Sequence, residues 1–177
     1  MIMKGSERLT QVAISTPLMA RALPDLPMPG TVMVRLLRIT EFGLSNFFEP
    51  VFRSMGLTEN TFHVLCLLVS NESGTASPGE LSEMVGTSRA NMTRLLEALI
   101  EDGHVARSID PRDARRHVIS ITPEGRAKAL DAAPQLRDPI ETAFSDLSAK
   151  EFALLESVLR KLIVSLDKSP RSLRAAA

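Results

Sequence analysis

Residues Ser77–Thr122 read SPGELSEMVGTSRANMTRLLEALIEDGHVARSIDPRDARRHVISIT, and this stretch decides the fold. Ser77 and Glu80 have the spacing of a capping box, which predicts the start of a helix. Gly86 ends that short helix, and a second one follows almost at once, at about Ser88–Asp102. Two short strands, HVARSID and RHVISIT, come next and are joined by a charged turn. Two helices, a tight turn and a hairpin in this order predict a winged helix-turn-helix.

The second helix of this stretch has the residue types of a DNA-recognition helix. In a helix-turn-helix this element lies in the major groove, with its N-terminal residues at the base edges. Its positive dipole end also faces the phosphates. Arginine reads guanine or phosphate, asparagine reads adenine, and hydroxyls bind phosphate. The helix residues predicted to contact DNA are Ser88, Arg89, Asn91, Thr93 and Arg94.

The turn of the hairpin places three arginines and two aspartates within residues 110–116. A run of charges is usually only a solvated turn, but this one follows a helix-turn-helix, and a narrow, negative minor groove attracts inserted arginine. We expect Asp113 to hold the guanidinium of Arg115 in a forked ion pair and so to aim it. The hairpin residues predicted to contact DNA are Arg112, Asp113, Arg115 and Arg116.

The composition narrows the classes of function. The 177 residues carry 21 basic and 21 acidic side chains, so any contact with nucleic acid depends on local charge placement. No apolar run reaches the roughly 18 residues of a membrane span. The single cysteine, Cys66, excludes an internal disulfide and a cysteine-built zinc site and suits a reducing cytoplasm. His63, His104 and His117 lack metal-ligand spacing, although His104 and His117 are candidates to face each other across the hairpin. No catalytic set or phosphate loop stands out, so no enzyme, metal or cofactor is predicted.

The flanking segments are also predicted to be helical. A helix at about Ser6–Leu23 precedes a linker in which Pro24, Pro27, Pro29 and Gly30 break any helix. The pattern is helical again from Thr31 to Met55, with Pro50 expected to kink or end that helix. Beyond the hairpin, Thr122 and Pro123 begin a helix that Pro134 and Pro139 should interrupt. A last helix begins at a Ser148–Glu151 capping box enclosed by a staple of Leu147 and Phe152.

Taken together, these motifs resemble the MarR family of bacterial winged-helix regulators. The resemblance runs from about Gly56 to Arg126 and continues more loosely through LSAKEFALLESVLRKL. It is carried by Leu57–Thr58, by GELSEMVGTSRANMTRLLEALIEDGHV and by the D-A-R of Asp113–Arg115 before VISITPEG. The resemblance implies a cytoplasmic, nucleoid-associated bacterial homodimer that offers two winged helices to a pseudo-palindromic operator in double-stranded DNA.

The resemblance also implies a division of the chain. The expected fold class is mainly α with a small β hairpin: a winged helix-turn-helix DNA-binding domain plus a helical dimerisation region. The expected parts are an arm and linker at 1–30, a dimerisation helix at 31–56, the winged helix-turn-helix at 57–122, C-terminal dimerisation helices at 123–170 and a flexible tail at 171–177. The arm is longer than in the shortest family members, and its role stays open between bracing the dimer and covering a pocket.

Many members of the family are repressors that release DNA when a small, often aromatic or phenolic, molecule binds between these two regions. The candidate ligand-binding residues are Phe48, Phe52, His63 and Cys66, although core or dimer packing is the commoner role of phenylalanine. The chain has no tryptophan, so the ligand of the urate-sensing branch is not carried over. Two alternatives stay open: a redox-responsive regulator acting through Cys66, and a winged-helix module that binds protein instead of DNA.

Overall fold

The computed structural model describes residues 3–110 and 113–167, and the chain divides into two units, Met1–Leu136 and Arg137–Ala177. The described part is mainly helical with one small sheet, as predicted. The elements of the first unit are α1 (Gly5–Ala22), α2 (Met28–Ser54), α3 (Glu59–Ser70), β1 (Thr75–Ala76), α4 (Pro78–Val85), α5 (Arg89–Glu101), β2 (Val105–Asp110), β3 (Asp113–Ile121), α6 (Pro123–Ala132) and a 3₁₀ turn (Ala133–Leu136). The second unit contains α7 (Arg137–Ala143) and α8 (Ala149–Asp167). The predicted flexible tail at 171–177 lies outside the described residues.

The helix-turn-helix forms where its caps predict it. The Ser77 backbone N–H donates to Glu80 Oε2 at 2.8 Å, and the Glu80 N–H donates back to Ser77 Oγ at 3.2 Å, which closes the capping box of α4. Gly86 ends α4 at a φ of +74°, a left-handed conformation that glycine adopts without a Cβ clash. Ser88 then caps α5 through the Asn91 N–H at 3.2 Å. These caps fix both ends of the turn that sets α5 against α4.

The core holds the inner face of α5. Leu65 and Leu68 of α3, Leu81 of α4 and Leu96 of α5 are completely buried. Met92, Leu99 and Ile119 belong to the same cluster of buried residues, so α3, α4, α5 and β3 share one apolar centre. Met92, Leu96 and Leu99 thus form the buried face of α5. The opposite face of α5, including Arg94, is left exposed to solvent.

The sheet has three strands, in the order β1-β3-β2, instead of the two of the predicted hairpin. The extra strand, β1, is only two residues long and pairs Thr75 with Ser120. The expected facing of His104 and His117 is wrong, because His117 pairs with Ile109, while His104 accepts a hydrogen bond from the Thr122 N–H. Strand β3 also begins at Asp113, so Arg115 belongs to the strand and not to the turn.

A close backbone crossing joins the sheet to α6. Thr122 caps α6 through the Gly125 N–H at 3.0 Å, and its hydroxyl lies 2.8 Å from the Gly103 carbonyl oxygen and 2.9 Å from that of His104. The backbone of Gly125 lies close to His104, the residue before β2, because a Cβ on Gly125 would stand 1.9 Å from the His104 carbonyl oxygen. The first turn of α6 can lie at the end of β3 only because residue 125 has no side chain.

The prolines interrupt the N-terminal helices less than predicted. Helix α2 begins at Met28, so Pro29 lies in its first turn and Gly30 within it; a proline there removes no intrahelical hydrogen bond. Of the two outcomes expected for Pro50, a kink or an end, the end is wrong, because α2 continues to Ser54. Aromatic packing of this last part of α2 against α3, with the Phe52 and Phe62 rings 5.7 Å apart, supports the continued helix. The interruption near Pro134 is confirmed by the 3₁₀ turn.

Helix α8 keeps an apolar surface exposed. Its capping box forms as predicted, with the Ser148 N–H donating to Glu151 Oε2 at 2.9 Å. None of the described residues of α8 is buried. Ile163 and Leu166, two residues of its apolar stripe, are 63% and 62% exposed. Within the described ranges, no helix is both long and apolar enough to cross a bilayer.

Candidate nucleic-acid interface

A basic cleft of about 450 Å³ lies between the start of α4, the helix α5 and the strand β3. It brings together four of the predicted DNA-contacting residues, two from the helix and two from the hairpin. Among the described residues, its lining consists of Ser77, Pro78, Gly79, Arg89, Thr93, Arg115, Arg116 and His117. None of these side chains is a carboxylate, and three are arginines, so the cleft suits an anionic ligand. We call it the basic cleft below.

On α5, several predicted contact residues already have local partners. The Asn91 side-chain amide donates to Thr87 Oγ1 at 2.8 Å and is half-buried. The Thr93 hydroxyl donates to the Arg89 carbonyl at 3.0 Å. Arg89 and Arg94 are exposed, and neither is in any ion pair recorded for the described residues. Arg89 lines the basic cleft, whereas Arg94 lies outside it on the outward face of α5.

In the hairpin, Asp113 has a different role from the one predicted. Its Oδ1 accepts a hydrogen bond from the backbone N–H of Arg115 at 3.0 Å, and the forked pair with the Arg115 guanidinium is not among the ion pairs of the described residues. An aspartate at a turn commonly binds the N–H two residues ahead, because that contact orders less side chain than an ion pair does. Asp113 thus fixes the start of β3 and leaves Arg115 exposed. The predicted contact Arg112 lies outside the described residues.

An acidic flank adjoins the basic cleft. A smaller depression of about 230 Å³ is lined by Glu80 and Asp110 as well as by Arg116 and His117. Hydrogen bonds from the Ser77 backbone and hydroxyl, and then the charge of Arg116, hold the pKa of Glu80 below its usual value, so Glu80 is a carboxylate at neutral pH. The sequence did not indicate His117 or the α4 start as parts of the site. Their placement depends on the packing of α4 beside β3, which no local pattern reveals.

A second cavity, of about 430 Å³, lies between the C-terminal half of α2 and the start of α3. Of the candidate ligand-binding residues, Phe52 lines it, whereas Phe48, His63 and Cys66 do not. In the part of the chain that the structure describes, the lining residues are Phe42, Ser45, Asn46, Glu49, Phe52, Arg53, Leu57, Thr58, Glu59 and Asn60. We call it the α2–α3 cavity. Its volume is within the range of small-molecule sites.

Comparison with known proteins agrees with this arrangement. The model of the MarR family matches residues 57–117. The HTH-type transcriptional regulator PrsX of Escherichia coli is 31% identical over 146 residues, which cover 81% of this chain and 87% of PrsX. The transcriptional repressor MprA of Escherichia coli K12 is 28% identical over 144 residues, or 81% and 82% of the two chains. A solved structure of Bordetella bronchiseptica BpsR, whose DNA binding is regulated by 6-hydroxynicotinic acid, superposes with a TM-score of 0.66 at 26% identity, over 72% of this chain and 89% of BpsR.

Proposed function

This chain belongs to the MarR family of transcriptional regulators, and from this we propose that it is a homodimeric repressor that binds a pseudo-palindromic operator and leaves it when a small molecule binds. The observation that carries the proposal is the basic cleft, where the recognition helix and the hairpin present arginines to one space. Its action is binding and not catalysis, and its place is the bacterial cytoplasm, at the nucleoid.

The charge of the cleft supports contact with a DNA backbone. Arg89 lines the basic cleft from α5, and Arg115 and Arg116 line it from β3. A DNA backbone passing between the helix and the hairpin would therefore contact cations on both sides. The start of α4 adds the positive end of its dipole. Arg94, on the outward face of α5, is the side chain available for a base edge in the major groove. Ser88, Asn91 and Thr93 then act through the cap and turn of the helix, or directly on phosphate.

The exposed apolar residues support the dimer. Without a partner, α8 leaves the apolar side chains of its stripe exposed to water: Phe152, Leu155, Leu159, Ile163 and Leu166. Large exposed apolar patches mark surfaces that bind other proteins. Burying the patches of two copies against each other gives a two-fold assembly, which also presents two recognition helices to the two halves of a palindrome.

A mobility-shift titration with the DNA upstream of the protein's own gene tests the proposal. We expect binding as a dimer and a steep loss of affinity with salt, with a slope of about −0.9 per phosphate contacted. A shuffled DNA of equal length is the control for specificity. A monomer at all concentrations, or equal affinity for both DNAs, would contradict the proposal. If the winged helix held an acidic protein instead, the titration would detect no specific DNA complex.

The environment of Cys66 does not favour the redox alternative. Peroxide attacks the thiolate and not the thiol. Cys66 is half-buried, and burial raises the pKa of its thiol, so little thiolate exists at neutral pH. We therefore expect mild peroxide to leave operator binding unchanged in the wild type and in Cys66→Ser alike. Release of the wild type alone, reversed by a thiol reductant, would establish the redox mechanism instead.

A further inference from the structure

We infer that the α2–α3 cavity takes an amphipathic aromatic cation, such as an arylalkyl amine, in preference to an aromatic carboxylate. This inference rests on the proposed function in one respect, namely that the cavity is the effector site. The aromatic class of effector alone does not specify a charge. The lining of this cavity does specify one.

The charged side chains of the lining favour a cation. They comprise two carboxylates, Glu49 and Glu59, and one guanidinium, Arg53. Arg53 is already in an ion pair with Glu49, four residues earlier on the same helix. Among the lining residues, the pair leaves no uncompensated positive charge for a ligand carboxylate, whereas Glu59 has no ion pair among the described residues. The formal charge of the lining is therefore that of one carboxylate.

The start of α3 does not reverse this preference. A helix N-terminus carries about half a positive charge, and α3 begins at this cavity with Thr58 as its cap. One of the free N–H groups at that N-terminus already has a hydrogen-bond acceptor, because the Thr61 N–H donates to Thr58 Oγ1 at 3.2 Å. Glu59 stands in the same first turn, and its full charge outweighs the partial charge of the dipole.

The apolar part of the lining suits an aromatic cation in particular. Phe42, Phe52 and Leu57 supply the apolar surface, and Ser45, Asn46 and Asn60 supply neutral hydrogen-bonding groups. The Phe42 ring already receives a cation, because the Arg8 guanidinium of α1 lies 4.2 Å from its centroid. That guanidinium occupies one face of the ring. Phe42 would therefore pack against the aromatic part of the ligand, whereas Glu59 would pair with its ammonium.

Three probes with one aromatic skeleton test the inference: naphthylethylamine, naphthylethanol and naphthylacetate. Their binding to the full-length protein is measured by calorimetry at neutral pH without DNA. We expect the amine to bind about tenfold more tightly than the carboxylate, with the alcohol between them, because the charge difference acts at a partly screened site. Equal or tighter binding of the carboxylate, or binding of none of the three, would overturn the inference.

Variants tie the preference to the cavity. Glu59→Gln and Glu49→Gln should each lower the ratio of amine to carboxylate affinity by about threefold or more; the second also leaves Arg53 without its partner and should raise the affinity for naphthylacetate itself. Glu72→Gln removes the same charge from an exposed turn outside the cavity and should leave the ratio unchanged. A ratio that changes equally in all three variants would mean that only the net charge of the protein matters, and would overturn the inference.

The same samples separate this inference from the proposed function. If the amine binds and the operator complex never forms, the proposed repressor is wrong and the cavity chemistry stands. If the operator complex forms and the amine binds without dissociating the complex, the cavity is a binding site but not the effector site. The part of the inference that rests on the proposed function then fails. Release of the operator by the amine, and not by naphthylacetate at the same concentration, supports both.

Discussion

Replacing Gly125 with alanine is expected to destabilise the protein by about 3 kcal/mol or more. The new Cβ would stand 1.9 Å from the His104 carbonyl oxygen and 2.8 Å from its carbonyl carbon, where ordinary carbon–oxygen contacts are about 3.3 Å or longer. Both partners are backbone, so relief requires that α6 move away from the end of β3. That movement would break the Thr122 cap, because Thr122 Oγ1 both accepts from the Gly125 N–H and donates to a neighbouring carbonyl.

Thermal unfolding at a fixed protomer concentration measures this effect, and a fall in Tm of roughly 6–12 °C corresponds to it for a chain of this size. Gly43→Ala is the matched control. Gly43 lies within α2, and no neighbouring part of the fold comes within 4 Å of the position that a Cβ would take there. Alanine at residue 43 should therefore be neutral or stabilise by up to about 1 kcal/mol. Equal Tm values for the two variants would show that the α6 crossing is not tight.

Arg115→Ala is expected to give the largest loss of DNA affinity among single changes in the hairpin. Arg115 is exposed and lines the basic cleft, and in the proposed dimer each half-site loses one such cation. A cost of about 1.4 kcal/mol in each half-site multiplies to about a hundredfold over the operator. The fold should be unaffected, because Asp113 binds the backbone N–H of residue 115, which alanine retains.

A mobility-shift titration together with thermal unfolding checks both halves of this expectation. Arg126→Ala serves as the control, since Arg126 is an exposed arginine of α6 that does not line the basic cleft. It should lower operator affinity by much less than Arg115→Ala. If Arg115→Ala lowers Tm by several degrees, the side chain has a structural role; if both variants bind alike, the hairpin does not reach the DNA.

The sequence alone was sufficient for the local elements of the DNA-binding region. The cap at Ser77 and the terminating Gly86 act as predicted, because capping involves groups within three or four residues of each other. The inward face of α5 was equally predictable, since its apolar residues repeat at the helical period. Proline was a weaker guide, because a proline in a first turn or beside strong packing does not end a helix.

The tertiary structure alone decided how these elements meet. The basic cleft depends on α4 lying beside β3, the strand β1 exists only because β3 offers it a partner, and the bond from Arg115 to Asp113 depends on where β3 begins. The α2–α3 cavity likewise combines residues that no motif connects, and Cys66, a candidate from the sequence, does not line it. The physical reason is one of range: caps and periodicity act between near neighbours along the chain, whereas clefts and strand pairing are set by packing between segments that are far apart in sequence.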